Sequence, residues 1–183
     1  MQTQTSAYRF MPTKENELII LKERAKLLAE IIINKDTKTE LVSYIKFRLG
    51  KSELYGIEYT VAKEVLHHCS YVSVPFAPTY IAGIFNWRGK MVSVIDLKKY
   101  LNIQQSDYGD DPYIIVVKAK QLVLGVLVNR IEGSDFYDAK LLDKPIVSDS
   151  AIKSEYLMGL NKGLVGILNV DRIFSDITSQ LNP

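Results

Sequence analysis

Three consecutive residues, His67-His68-Cys69, carry side chains of the kind that bind transition metals. Neighbouring residues of a strand point to opposite faces, so these three cannot converge on one ion without a bend. The chain has no other histidine or cysteine that could complete the ligand set. A cluster of aspartates within residues 107–111 lacks the spacing of a calcium loop. We therefore predict that the chain binds no metal and no cofactor.

Catalytic chemistry has no better support in the sequence. A cysteine–histidine nucleophile pair at residues 67–69 meets the same geometric objection, and no oxyanion-hole motif accompanies it. Gly83, Gly89, Gly125 and Gly159 do not form a loop that could cradle a phosphate. These observations predict a protein that is not an enzyme.

Glu64 and Arg88 are the polar pair that could serve a binding site. A guanidinium among apolar strands needs a carboxylate or carbonyl groups, because an unpaired buried charge is costly. Two interpretations follow. The pair could fix the edge of the fold and have only a structural role, or it could stand at the rim of an interface and orient a partner. Arginine is enriched among the residues that dominate interface energies.

The stretch 83–97 must position that arginine. Two apolar runs flank Arg88-Gly89, which predicts a strand, a tight turn and a returning strand over residues 83–95. Glycine suits such a turn because it adopts positive φ without steric cost. Asn86 and Arg88 are the polar exceptions at the crest of the hairpin. This combination favours a surface that binds a protein.

The composition is that of a globular protein, with 47% hydrophobic and 24% charged residues. Its 23 basic and 21 acidic residues give a net charge of +2 without a basic cluster, which argues against nucleic-acid binding. The single cysteine fits a reducing compartment. Residues 1–11 lack a secretion signal, and no apolar run approaches the roughly twenty residues of a membrane span. We predict a soluble, cytoplasmic protein without direct membrane insertion.

Residues 1–40 form an N-terminal extension with a predicted helix over about 14–33. Its apolar residues recur at spacings of three and four and share one face: Leu18, Leu21, Ala25, Leu28 and Ile32. This stripe could pack on the following domain, or it could dock a partner or a second copy.

From residue 41 onward the pattern changes to short strands. Ile45, Phe47 and Leu49 alternate with polar residues, as in a half-buried strand. Further strands are predicted at 54–59, 70–74, 83–95 (the hairpin), 113–118, 122–129 and 164–170, with a polar connector near 102–112. Frequent short strands between turn residues favour barrels or a sandwich.

The chain also repeats itself. Residues 92–101 align without gaps on residues 165–174, and in both an apolar strand ends at a good helix-capping residue, Asp96 or Asn169. The repeat favours two related small barrels.

These patterns closely resemble the CheW family, the coupling proteins of bacterial chemosensory arrays. The resemblance covers roughly residues 43–178, and its most specific strings are Pro78-Thr-Tyr-Ile-Ala-Gly83, Ile84-Phe-Asn-Trp-Arg-Gly89 and Val92-Ser-Val-Ile-Asp-Leu97. It implies a mainly β fold of two SH3-like five-stranded barrels over 41–183 that exchange strands, with short connecting helices after the N-terminal helix.

The resemblance also implies a non-catalytic adaptor. Its partners would be the regulatory domain of a CheA-type histidine kinase and the cytoplasmic tip of methyl-accepting chemoreceptors. The first barrel, with the hairpin, would pair with the kinase domain, and the groove between the barrels would take the receptor's helical hairpin. The protein-binding residues expected on this basis are Glu64, Val65, Tyr80, Ile84, Asn86, Trp87, Arg88 and Gly89.

Some positions depart from the family pattern. Trp87 stands where a smaller apolar residue, often leucine, is usual, and Asn129 and Asn169 stand where aspartate is frequent. Alternatives to a flagellar adaptor are an adaptor of a pathway that controls pili or another output, or a small-barrel protein that binds a ligand or a nucleic acid.

Overall fold

The computed structural model describes residues 41–50, 52–67, 69–103, 112–144 and 153–181. The predicted helix over 14–33 and most of the predicted connector at 102–112 lie outside these residues. Ten strands and two α-helices make up the described part: β1 Leu41–Leu49, β2 Glu53–Glu58, β3 Ala62–His67, β4 Ile81–Trp87, β5 Lys90–Asp96, α1 Leu97–Tyr100, β6 Tyr113–Ala119, β7 Leu122–Val128, β8 Arg130–Asp138, β9 Leu157–Asn161, β10 Val165–Leu168 and α2 Val170–Leu181, with a 3₁₀ turn at Ser154–Tyr156 before β9.

The strands form two five-stranded sheets, so the predicted mainly β fold is confirmed. The first sheet has the order β8-β1-β2-β10-β9, and the second has the order β3-β6-β7-β5-β4. In the first sheet, β2 of the β1–β2 hairpin pairs in parallel with β10 of the β9–β10 hairpin. In the second sheet, β7 of the β6–β7 hairpin pairs in parallel with β5 of the β4–β5 hairpin. Each sheet thus combines strands from both halves of the chain.

The repeated segments 92–101 and 165–174 occupy equivalent places in the two sheets. Each contains the parallel strand, β5 or β10, and the beginning of the helix that follows it. Asp96 accepts a hydrogen bond from the backbone N–H of Lys99 at 3.1 Å, and Asn169 accepts one from the N–H of Arg172 at 3.0 Å. Both predicted helix caps are confirmed.

Three apolar clusters hold the sheets together. One cluster contains Phe85, Val92 and Val94 of the second sheet, and another contains Tyr44 and Ile167 of the first. The third and largest cluster joins residues of both sheets to the apolar faces of α1 and α2. Its β1 members are the residues that the alternation predicts, Ile45, Phe47 and Leu49, all buried. The opposite face of β1 places Tyr44 in the first sheet's own cluster.

Four strand assignments need correction. The predicted strand at 70–74 is wrong, because only Val72 pairs there, in an isolated bridge to Ile84. Val72 is 71% exposed, although its neighbour Tyr71 packs against the second sheet's apolar cluster, and a turn at residues 74–77 ends the pairing. The sequence did not predict β3, β8 and β9. In β8 only Tyr137 is buried, and a register shift opposite Lys46 and Phe47 interrupts its pairing with β1, which hides the two-residue period.

Candidate functional site

The β4–β5 hairpin closes on the two-residue turn that the sequence predicts. Trp87 pairs with Lys90, and the two residues between them, Arg88 and Gly89, have φ angles of 52° and 81°. Positive φ at both central residues defines the turn type that favours Asn-Gly in hairpins. The Asn86 side chain accepts a hydrogen bond from the Gly89 N–H at 2.8 Å. Arg88 therefore holds a backbone conformation that is uncommon for a residue with a long side chain.

Glu64 of β3 is the acceptor on which this turn converges. Its Oε2 atom accepts a hydrogen bond from Trp87 Nε1 at 2.7 Å and one from Arg88 Nε at 3.1 Å. Arg88 Nη2 lies 3.0 Å from the same oxygen. The Arg88 guanidinium carbon also lies 5.4 Å from the centre of the Trp87 ring, a cation–π contact. The expected Glu64–Arg88 pair is thus present, with Trp87 as a third member that the sequence did not indicate.

These contacts join opposite edges of one sheet. The strands β3 and β4 stand at the two ends of the second sheet, so Glu64 reaches the hairpin only because the sheet curls. The first sheet curls in the same way. Asn161 of β9 donates to the carbonyl oxygen of Phe136 in β8 at 3.1 Å, and Lys162 Nζ lies 3.9 Å from Asp135 Oδ2. In each sheet, polar side chains link the two edge strands.

The electrostatics of the pair favour an ionised carboxylate. The hydrogen bond from Trp87, with a further contribution from the positive charge of Arg88, lowers the pKa of Glu64 below its ordinary value. The Arg88 side chain is 70% exposed and that of Glu64 is 32% exposed. Because water screens such a pair, its direct effect on folding stability is small.

The two faces of β4 serve different purposes. Phe85 and Trp87 point toward the second sheet's apolar cluster, whereas Ile84 and Asn86 point outward. Asn86 pairs across the hairpin with Met91 of β5. On the edge of β4 that faces away from β5, Ile84 pairs with Val72. Met91 is 65% exposed and Val72 is 71% exposed. We define the outer stripe as Val72, Ile84 and Met91, of which only Ile84 was expected from the sequence.

Two of the expected binding residues lie apart from the turn. Val65 is 40% exposed but points to the face of β3 opposite to Glu64. Tyr80 is half-buried, and its ring packs edge-on against Tyr100 with the ring centres 5.2 Å apart. Tyr100 in turn lies 5.7 Å from Tyr156, whose hydroxyl donates to Asp176 Oδ2 at 2.8 Å. This row of aromatic rings runs from the residue before β4, through α1, to the 3₁₀ turn before β9, and it links the two sheets.

Other candidate sites offer little chemistry. His67 lies in β3 with its ring stacked on Tyr113, and Cys69 is half-buried. Within the described ranges, no group of three or more histidine, cysteine or acidic residues is arranged to hold a metal ion. A groove of about 540 Å³ lies between the β6–β7 turn and α2, and its hydroxyls on Ser175 and Thr178 donate to helix carbonyls. No helix in the described part of the chain is long and apolar enough to cross a membrane.

Comparisons with known proteins match this architecture. A model of the CheW-like domain matches residues 43–178. The chain is 26% identical over 143 residues to "Chemotaxis protein CheW" of Treponema pallidum, covering 74% of this chain and 84% of the relative. It is 22% identical over 143 residues to "Protein PilI" of Pseudomonas aeruginosa, covering 78% and 80%.

A solved structure adds the fold. The crystal structure of the scaffolding protein TtCheW from Thermoanaerobacter tengcongensis matches with a TM-score of 0.65 and 27% identity, covering 73% of this chain and 92% of that one. The matched region, 43–178, contains strands of both sheets together with the turn and its acceptor Glu64. The chain therefore belongs to the CheW-like domain family of chemotaxis scaffold proteins.

Proposed function

We propose that this chain is a non-catalytic adaptor that couples the cytoplasmic tips of chemoreceptors to the regulatory domain of a CheA-type histidine kinase. In this role the protein acts in the cytoplasm, and its two curled sheets are SH3-like barrels of one CheW-like domain over 41–183. The side-chain links between the edge strands of each sheet support the barrel description.

One observation carries the docking proposal: an exposed arginine occupies a turn position that another residue would fill at lower cost. Arg88 has φ of 52° where asparagine or glycine is favoured, and its side chain is 70% exposed. Its ion pair with Glu64 is exposed and contributes little to folding stability. Strain of this kind is typical of residues kept for function.

The kinase domain is assigned to the hairpin and its outer stripe. The exposed side chains of Val72 and Met91 flank Ile84 and supply apolar area that a partner can bury. Arg88 and Asn86 supply the polar rim at the crest. Such a small mixed surface suits a reversible interface.

The receptor is assigned to the junction between the sheets. Tyr80 and Tyr100 remain half-buried there, and the exposed Val65 lies on the outward face of the neighbouring edge strand. Partly exposed aromatic and aliphatic side chains are suited to hold the apolar face of a helix.

The match to Protein PilI supports a second candidate, an adaptor of a chemosensory pathway that controls pili or another non-flagellar output. The same docking surfaces would serve, with a different kinase and receptor. Binding to each kinase regulatory domain encoded in the same genome would separate the two candidates.

The test is binding of the full chain to a kinase regulatory domain and to a receptor signalling fragment, measured by calorimetry. We expect both to bind, and we expect Arg88→Asp to weaken binding of the kinase domain by about tenfold or more, as for an interface hot spot. Lys140→Ala removes an exposed cation just after β8, on the first sheet and outside the hairpin, and is the matched control.

Arg88→Asn separates function from folding, because asparagine suits the turn. We expect this variant to fold with unchanged or higher thermal stability, because asparagine is favoured in the turn. We also expect its affinity for the kinase regulatory domain to be lower than that of the wild type. If folded wild-type protein captures neither fragment, the adaptor proposal is wrong. If Arg88→Asn binds like the wild type, Arg88 has only a structural role and the docking site lies elsewhere.

A further inference from the structure

We infer that Trp87 is a positioning residue of the docking surface: its anchored indole holds Glu64 and Arg88 in one arrangement and so sets the affinity for the partner. The inference rests on the proposed function, since it concerns the same hairpin.

The first step is the difference in anchoring among the three side chains. The Trp87 ring is half-buried and packs against the apolar cluster of the second sheet. Arg88 and Glu64 are flexible side chains at the surface, and holding two such chains in one geometry costs conformational entropy. The indole is therefore the fixed member to which the other two attach.

The second step is the convergence on one oxygen. Trp87 Nε1 makes the shortest of the three contacts to Glu64 Oε2, at 2.7 Å, and the two from Arg88 follow at 3.0 and 3.1 Å. The face of the same indole contacts the guanidinium. Trp87 thus holds the Glu64 carboxylate through its N–H and the Arg88 guanidinium through its ring.

The third step is what remains free for a partner. Arg88 uses its Nε and Nη2 atoms on Glu64, and among the described residues no acceptor reaches Nη1. The outer edge of the guanidinium therefore faces solvent in a fixed direction. Preorganisation of this kind raises affinity because less ordering is needed on binding.

A leucine at position 87 would keep the apolar anchor and lose both polar contacts. The Glu64–Arg88 pair would then depend on its own weak attraction. A smaller residue at position 87 would therefore leave the pair without its anchor.

The experiment uses Trp87→Phe in the full chain, which keeps a ring but removes the N–H donor, with Lys140→Ala on the first sheet as the control. NMR follows the titration of the Glu64 carboxyl carbon, and the indole N–H signal is unambiguous because the chain has one tryptophan. We expect the titration midpoint of Glu64 to rise in Trp87→Phe and to stay unchanged in Lys140→Ala. We expect affinity for the kinase regulatory domain to fall about tenfold in Trp87→Phe only.

Two results would overturn the inference while leaving the proposed function intact. One is an unchanged Glu64 midpoint in Trp87→Phe. The other is a shifted midpoint with wild-type affinity, while Arg88→Asn still binds weakly. Failure of the folded wild-type chain to bind any kinase domain or receptor fragment would instead overturn the proposed function, and with it the docking half of this inference.

Discussion

Trp87 Nε1 lies 2.7 Å from Glu64 Oε2, although the two residues stand on strands at opposite edges of the second sheet. The contact links β3 to the β4–β5 turn through side chains. In the first sheet Asn161 makes the corresponding link from β9 to the backbone of β8. The proposed binding surface therefore depends on the same polar contacts that link the two edge strands of the second sheet.

Gly89→Ala should lower stability by about 1 kcal/mol or more. Gly89 has φ of 81°, and no other group lies within 4 Å of the position that an alanine β-carbon would occupy, so backbone strain is the only cause of the loss. Urea unfolding would measure it, and Lys90→Ala on the same hairpin should show little change. A midpoint equal to that of the wild type would contradict the turn assignment.

Glu64→Gln should reveal how stability depends on pH. The folded state lowers the pKa of Glu64, so the charged contacts stabilise the fold above the unfolded pKa of about 4.3 and are lost as pH falls through the lower folded value. Urea unfolding of the wild type and of Glu64→Gln, at pH values above and below the pKa of Glu64, would measure the difference in their free energies of unfolding. Above a pH of about 4.3, the free energy of unfolding should be larger for the wild type than for the variant. The two values should converge as the pH falls through the folded pKa of Glu64. A difference that stays constant with pH would argue against the lowered pKa.

Gly83→Ala should cost more stability than Gly125→Ala. A methyl group at Gly83 would lie 2.4 Å from the backbone oxygen of Val72, whereas one at Gly125 meets side chains of Ile114 and Phe85 at 2.9 and 3.0 Å. Side chains can shift more readily than backbone, so we expect about 2–3 kcal/mol and about 1–2 kcal/mol respectively. Chemical unfolding of both variants decides the order, and the reverse order would contradict the close approach at Val72.

Asn161→Ala should destabilise the protein by about 1–3 kcal/mol. The Asn161 amide donates to the hydroxyl of buried Tyr44 at 3.0 Å and to the carbonyl of Phe136, which would lose their donor. A double-mutant cycle with Tyr44→Phe isolates the first contact. Strictly additive losses would show that this hydrogen bond contributes nothing.

Asn169→Asp should preserve or raise stability, and Asn169→Ala should lower it by about 1 kcal/mol. The side chain caps α2 through the Arg172 N–H, and an added negative charge at a helix N-terminus is favourable by about 0.3–1 kcal/mol. Thermal unfolding at low ionic strength would resolve both changes. Equal loss in the two variants would mean that the cap is not what Asn169 supplies.

Local chemistry decided most of what the sequence predicted correctly. The Arg88-Gly89 turn follows from positive φ at glycine, and the caps at Asp96 and Asn169 follow from side chains that bond to the backbone three residues on. The alternation in β1 follows from the two-residue period of a strand. Each depends on residues that are close along the chain.

Only the tertiary structure decided the rest. The strands β8 and β9 carry weak patterns and exist because β1 and β10 supply their hydrogen-bond partners, whereas in the strand-like segment 70–74 only Val72 finds a partner, Ile84. The sequence marks Trp87 as an expected binding residue but does not pair it with Glu64. The indole N–H reaches Glu64 only because the pairing of all five strands curves the second sheet and brings its two edge strands together. The spacing of these two residues along the chain does not predict that contact.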